Sequence, residues 1–186
     1  MGCFGPGCAA FASPATTTLG GQTVTFTGAS FDETTDLTGA ASFGLGTFSR
    51  GGSFTTAFDD VPFTLQITFA LPANITGGQS TLLSALVDGT VTNNNSLMFV
   101  DFTANSQSFL FSNALGEGSF DLLITDPETL NRNQNSRPVT GGIANAVFNE
   151  FEVQPGPTVV PEPASLLLLG SALGVVAARM RRARQT

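Results

Sequence analysis

Apolar and polar residues alternate with a period of two through most of the chain before Pro155. Phe63, Leu65, Ile67 and Phe69 alternate with Thr64, Gln66, Thr68 and Ala70, and Leu71 extends the run until Pro72 stops it. Successive side chains of a strand point to opposite faces, so this pattern predicts a half-buried strand. Val24 and Phe26 alternate with Thr23, Thr25 and Thr27; Phe120, Leu122 and Ile124 alternate with Asp121, Leu123 and Thr125. Phe109 and Phe111 sit between serines, and Leu97–Phe102 is a nearly continuous apolar run. Val147, Phe151 and Val153 are expected to line one side of a last strand whose other side carries Glu150 and Glu152. Turn signals fall between the runs: Gly20-Gly21, Gly51-Gly52, Gly77-Gly78, Asn93-Asn94-Asn95, Gly116-Glu117-Gly118 and Gly141-Gly142. Asp88-Gly89 reads either as a tight hairpin turn or as the interior of one long strand turning at Asn93–Asn95, and the second is favoured. About eight or nine short strands at this spacing predict an all-β domain, an antiparallel β-sandwich of jelly-roll-like form, over residues 20–154.

The pattern changes after a Pro/Gly linker at 155–163. Ala164–Ala178 is an uncharged, non-amphipathic run of 15 residues. As a helix it spans about 22 Å at about 1.5 Å per residue. That is short for a hydrocarbon core of about 30 Å, a gap that local thinning and snorkelling arginines close. Arg179, Arg181, Arg182 and Arg184 follow it directly. Residues 164–186 therefore predict a single transmembrane helix with a basic tail, and the positive-inside rule keeps that tail cytoplasmic and puts the body on the far side. A buried core helix is the alternative for so short a run. Gly170 and Gly174 form a small-xxx-small pair for close helix packing in lipid, or reflect only the frequency of glycine in membrane helices.

Charge reinforces this polarity. Thirteen acids and three arginines precede Pro161, net −10, whereas one acid and four arginines follow, net +3. An acidic body without lysine leaves no footprint for nucleic acid. The absence of histidine and lysine removes Ser-His-Asp, Cys-His and Ser-Lys catalysis, and the chain is expected not to be an enzyme. Glycoside hydrolysis by paired carboxylates is the remaining enzymatic scheme, with Asp32/Glu33, Asp59/Asp60, Asp101, Glu117, Asp121 and Glu150/Glu152 as its candidates. Oxygen-rich loops make Asp32, Asp36, Asp59 and Asp60 candidate Ca²⁺ ligands, although no twelve-residue calcium loop is present. Phe43, Phe48, Phe54 and Phe58 are candidate sugar platforms, set against the need of a sandwich interior for most of the 17 phenylalanines. The polar stretch Asn131–Arg137 offers hydrogen bonds to sugars or partners, or is a solvated connection.

Val160-Pro161-Glu162-Pro163-Ala164-Ser165, the short apolar helix and the arginine-rich end resemble the PEP-CTERM sorting signal of Gram-negative bacteria. The resemblance covers about residues 159–184. It implies export across the inner membrane, transient tethering there, and processing near Pro161, Glu162 and Pro163 by an exosortase, a polytopic membrane protease. On this reading the three residues are a recognition motif and not catalytic groups. It also implies a place at the cell surface or in an exopolysaccharide-rich matrix, where a structural or adhesive role is expected. A carbohydrate-binding module with calcium support is the alternative, and a secreted glycoside hydrolase the third reading. Leu45-Gly46-Thr47-Phe48 is similar to choice-of-anchor β-domains, although Ser49-Arg50-Gly51-Gly52 departs from their pattern. Export calls for a leader, so residues 1–19 are read as a truncated or atypical one, with Ala10-Phe11-Ala12 resembling a cleavage site. Cys3 and Cys8, the only cysteines, are read as either a small disulfide loop or residues discarded with that leader.

Overall fold

A computed structural model describes residues 1–34, 39–93 and 95–150. Among these described residues ten strands run in chain order: β1 (Gly2–Phe4), β2 (Ala15–Leu19), β3 (Gln22–Gly28), β4 (Ala41–Arg50), β5 (Phe58–Thr68), β6 (Ser80–Thr92), β7 (Asn95–Phe102), β8 (Ser106–Ser112), β9 (Gly116–Thr125) and β10 (Ser136–Glu150). They form a four-stranded sheet in the order β1-β5-β6-β7 and a six-stranded sheet in the order β2-β3-β4-β10-β9-β8. Every strand pairing is antiparallel. The all-β, two-sheet expectation holds. The connectivity, however, is a set of meanders. β2-β3-β4, β5-β6-β7 and β8-β9-β10 each pair in sequence, and the chain changes sheets between them. A jelly roll is instead built from two Greek keys.

Local chemistry explains the turns. Leu19 pairs with Gln22 around Gly20-Gly21, whose φ values of 54° and 77° suit the primed turns that match strand twist. Thr92 pairs with Asn95, so β6 runs straight through Asp88-Gly89 and turns in the Asn93–Asn95 stretch, as the favoured reading had it. Val139 of β10 faces Gly46 while Thr140 faces Gly44, which leaves Leu45 as the extra residue of a bulge. Gly46 has φ 151°, and a Cβ there would sit 2.5 Å from both the Phe26 ring and the Thr27 carbonyl.

Phenylalanine fills the interior. Phe26 of β3, Phe48 of β4 and Phe63 of β5 are fully buried, and their ring centroids lie 4.9–5.1 Å apart across the two sheets. Phe69, Phe109 and Phe120 form a second group with centroids 5.1–5.4 Å apart. Tilted, edge-on and offset contacts such as these each add about 0.5–1.5 kcal/mol beyond burial of area.

One expectation needs correction and one boundary moves. The sandwich, expected to begin at residue 20, includes strands β1 and β2 within residues 1–19. β1 pairs with β5, β2 pairs with β3, and the amino group of Met1 donates to the Gln66 carbonyl. Val147, expected on a buried side, is half-exposed, because a second register shift between Ala144 and Val147 carries the end of β10 off the core. Phe151 and Val153 lie outside the described residues, as do the linker at 155–163 and the transmembrane-helix expectation at 164–186.

Candidate functional site

Three places gather the chemistry expected from the sequence. The first is a carboxylate trio. Phe58 pairs with Gly89 and Val61 with Val87, so a bulge sets Asp59 and Asp60 together against the single residue Asp88. Gly89 makes room for this arrangement, since a Cβ there would run into the Phe58 ring. One carboxylate oxygen from each of Asp59, Asp60 and Asp88 falls within 4.8 Å of the others. The Asp60 amide donates to Asp88 Oδ1 at 2.6 Å. Asp59 hydrogen-bonds Asp88 and is repelled by Asp60 and Asp88, which together raise its pKa above the ordinary carboxylate value. Such oxygens are the ligands a hard divalent cation takes, although calcium asks for six to eight. Of the four calcium candidates, Asp59 and Asp60 belong to this trio. Asp32 stands elsewhere, on the rim of a cleft. Asp36 lies outside the described residues. Asp88 was missed because it was weighed only for its place in a turn or a strand and not as a ligand; the register of the β5–β6 hairpin is what reveals it.

A testable consequence follows from the raised pKa of Asp59. Its folded form holds the proton more tightly than the unfolded chain does. The penalty is therefore present at neutral pH and disappears as pH falls through the folded pKa. Asp59→Asn is expected to raise the melting temperature slightly at pH 7 and to leave it unchanged in acid; equal shifts at both pH values would contradict this. If calcium occupies the trio, it stabilises the parent chain and not Asp59→Asn.

The second place is a cleft of about 930 Å³ between the sheets. Phe43, Ile67, Phe69, Phe120 and Ile143 line its floor, and half-exposed Val147 and Phe148 stand at its edge. Phe31 stacks on Phe43 with centroids 4.0 Å apart and planes 9° from parallel. Among the described residues, Asp32 and Glu33, neighbours in sequence, are the acidic ones of its lining. Of the other carboxylates named for hydrolysis, Asp59, Asp60, Asp101, Glu117, Asp121 and Glu150 are not in its lining, and Glu152 lies outside the described residues. Asp121, for one, accepts from Ser108 Oγ at 2.6 Å and Asn145 Nδ2 at 2.8 Å, contacts that hold its pKa below the ordinary value. Of the candidate sugar platforms, Phe43, Phe48 and Phe54 are buried and Phe58 packs half-buried against the core.

The third place is polar. Asn95, Asn131, Arg132 and Asn133 line an open recess where the β6–β7 turn meets the connection from β9 to β10. The connection is pinned to the edge of β7 by reciprocal backbone hydrogen bonds between Met98 and Leu130. Behind the recess lies Arg50, 5% exposed. Its Nη1 donates to the Ser96 carbonyl at 3.2 Å and Ser96 Oγ at 2.9 Å, and its Nη2 donates to the Asn131 carbonyl at 2.6 Å. Its guanidinium also stands 5.1 Å from the centre of the Phe54 ring. One buried cation thus ties together both walls of the recess, and nothing in the local sequence around Arg50 announces it.

The sorting residues Pro161, Glu162 and Pro163, the glycines Gly170 and Gly174, and Arg179, Arg181, Arg182 and Arg184 lie outside the described residues. Residues 159–182 match the model of the PEP-CTERM protein-sorting motif. No curated protein and no solved structure matches the chain.

Proposed function

We propose, from the premise that this chain carries the PEP-CTERM protein-sorting motif, that its β-sandwich is cargo delivered to the cell surface or its matrix, with a structural or adhesive role and no catalytic one. The motif implies recognition by an exosortase, a membrane protein, and an exported chain processed at the membrane. That match at 159–182 is the observation that carries the reading. Two features of the body support it. Cys3 and Cys8 are joined in a disulfide, which persists in oxidising compartments outside the cytosol. The body is also acidic and free of lysine, as suits a soluble exposed surface.

Mass spectrometry of the protein from its host tests this. The mature chain is expected to lack the apolar run Ala164–Ala178, and Glu162→Ala is expected to hold the full chain at the membrane. A mature surface protein that extends through Thr186 would defeat the processing step.

A second reading is favoured by the recess and the carboxylate trio: a carbohydrate-binding module with calcium support. Its amide and guanidinium donors are suited to sugar oxygens, while calcium at Asp59, Asp60 and Asp88 would stiffen the β5–β6 hairpin. A glycan-binding screen with and without chelator separates it from a purely structural role.

A further inference from the structure

We propose that the recess formed by Asn95, Asn131, Arg132 and Asn133 binds an oxyanion carried on a polyhydroxylated chain, that is, an acidic saccharide. This deepens the carbohydrate-binding reading and does not depend on processing at the sorting motif.

The argument begins with where the positive charge lies. Before Pro161 the chain holds three arginines against 13 acids. Residue 50 is far in sequence from 132 and 137, yet the fold brings it to the same corner. The Arg50 amide donates to the Asn135 carbonyl at 2.9 Å, and Arg137 pairs with Phe48, two residues before Arg50 on β4. Arg137 makes an ion pair with Glu128 at 3.3 Å. Among the described residues Arg50 has carbonyl and hydroxyl partners and none that is anionic, so dipoles there solvate its charge without cancelling it. A local positive potential on an acidic body selects for anionic ligands and steers them to one place.

The polarity of the amides points the same way. Asn95 Oδ1 accepts from the Arg132 amide at 3.3 Å, and Asn131 Oδ1 accepts from the Asn133 amide at 3.1 Å. Both side-chain oxygens are used by backbone, which turns the NH₂ groups of Asn95 and Asn131 into the groups on offer. Together with the Arg132 guanidinium they make a lining rich in donors, the complement of carboxylate and hydroxyl oxygens. The recess, about 730 Å³ and open to solvent, accommodates more than a single small ion. Arg50 acts as a positioning residue here: it fixes Ser96, next to Asn95, and Asn131 at once. The donors are thus set before any ligand arrives.

Binding of the full chain in detergent micelles to polygalacturonate, dextran sulfate, neutral dextran and polyglutamate tests this by calorimetry. Polygalacturonate is expected to bind, more weakly as salt rises, and Arg132→Ala to lower its affinity by on the order of tenfold. The melting temperature of the variant is measured alongside to separate lost binding from lost folding, and Arg132→Lys should recover part of the affinity. Dextran sulfate binding alongside polygalacturonate widens the anion to sulfate, whereas binding of polygalacturonate alone fixes it as carboxylate. Neutral dextran binding as well as polygalacturonate, insensitive to Arg132→Ala, would leave the carbohydrate reading standing and overturn this one. Tighter binding of polyglutamate would assign the recess to an acidic protein. Failure of every glycan to bind would sink both readings.

Discussion

Arg50→Ala is expected to cost about 3–4 kcal/mol of folding stability, and Arg50→Lys about 2 kcal/mol. The guanidinium is almost wholly buried, and burial pulls its pKa below the ordinary arginine value. Arginine nevertheless remains charged at any pH compatible with folding. Its desolvation is offset by three hydrogen bonds to Ser96 and Asn131 and by the Phe54 ring. Truncation leaves the Ser96 and Asn131 carbonyls short of a donor inside the fold, and that deficit accounts for most of the loss. Lysine keeps the charge but not the fork that reaches Ser96 on β7 and Asn131 in the β9–β10 connection at the same time. Arg50 belongs to β4, so it bonds one sheet to the edge of the other. Chemical denaturation of the two variants checks this. A lysine variant as stable as the parent would show that charge alone suffices and that the geometry of the fork is irrelevant.

What the sequence revealed and what it hid divide along the range of the interactions. Alternation at 63–69 and 120–124, the Gly20-Gly21 turn and the long strand through Asp88-Gly89 are local, and each was legible. A strand's inward and outward residues are fixed by a period of two, and a hairpin's register follows from its turn. The pairing of β10 with β4 was not legible, because alternation does not say which distant strand lies alongside. For the same reason neither the arginine corner nor the carboxylate trio was read in full: Arg50 and Asn131 stand 81 positions apart, and Asp60 and Asp88 stand 28 apart. The strands at Gly2–Phe4 and Ala15–Leu19 were not foreseen, because small residues and glycines dominate there and the useful signal, Thr16-Thr17-Thr18, is short. Val147 was misplaced because the backbone at Asn145, with φ 53°, interrupts a pattern that looked regular.

Phe63→Ala is expected to be the most damaging core substitution, at about 3–5 kcal/mol. Phe63 is fully buried at the centre of the aromatic group, with ring centroids 5.0 Å from Phe4, 5.1 Å from Phe26 and 4.9 Å from Phe48. Removing the ring deletes its transfer energy and three aromatic contacts, and it leaves a void between two sheets whose spacing other side chains hold. The void cannot close easily from above. β1 already lies so tightly over this ring that a Cβ on Gly2 would come within 2.8 Å of it. A domain of this size typically has about 5–15 kcal/mol in all, so the variant is expected to sit near the edge of folding at room temperature. Phe63→Leu retains most of the volume and is expected to lose under about 1.5 kcal/mol. Denaturation midpoints for the pair, measured on the full chain in the same detergent, decide the matter. Equal losses for alanine and leucine would mean that the aromatic group is a surface-like cluster and not the centre on which the two sheets pack.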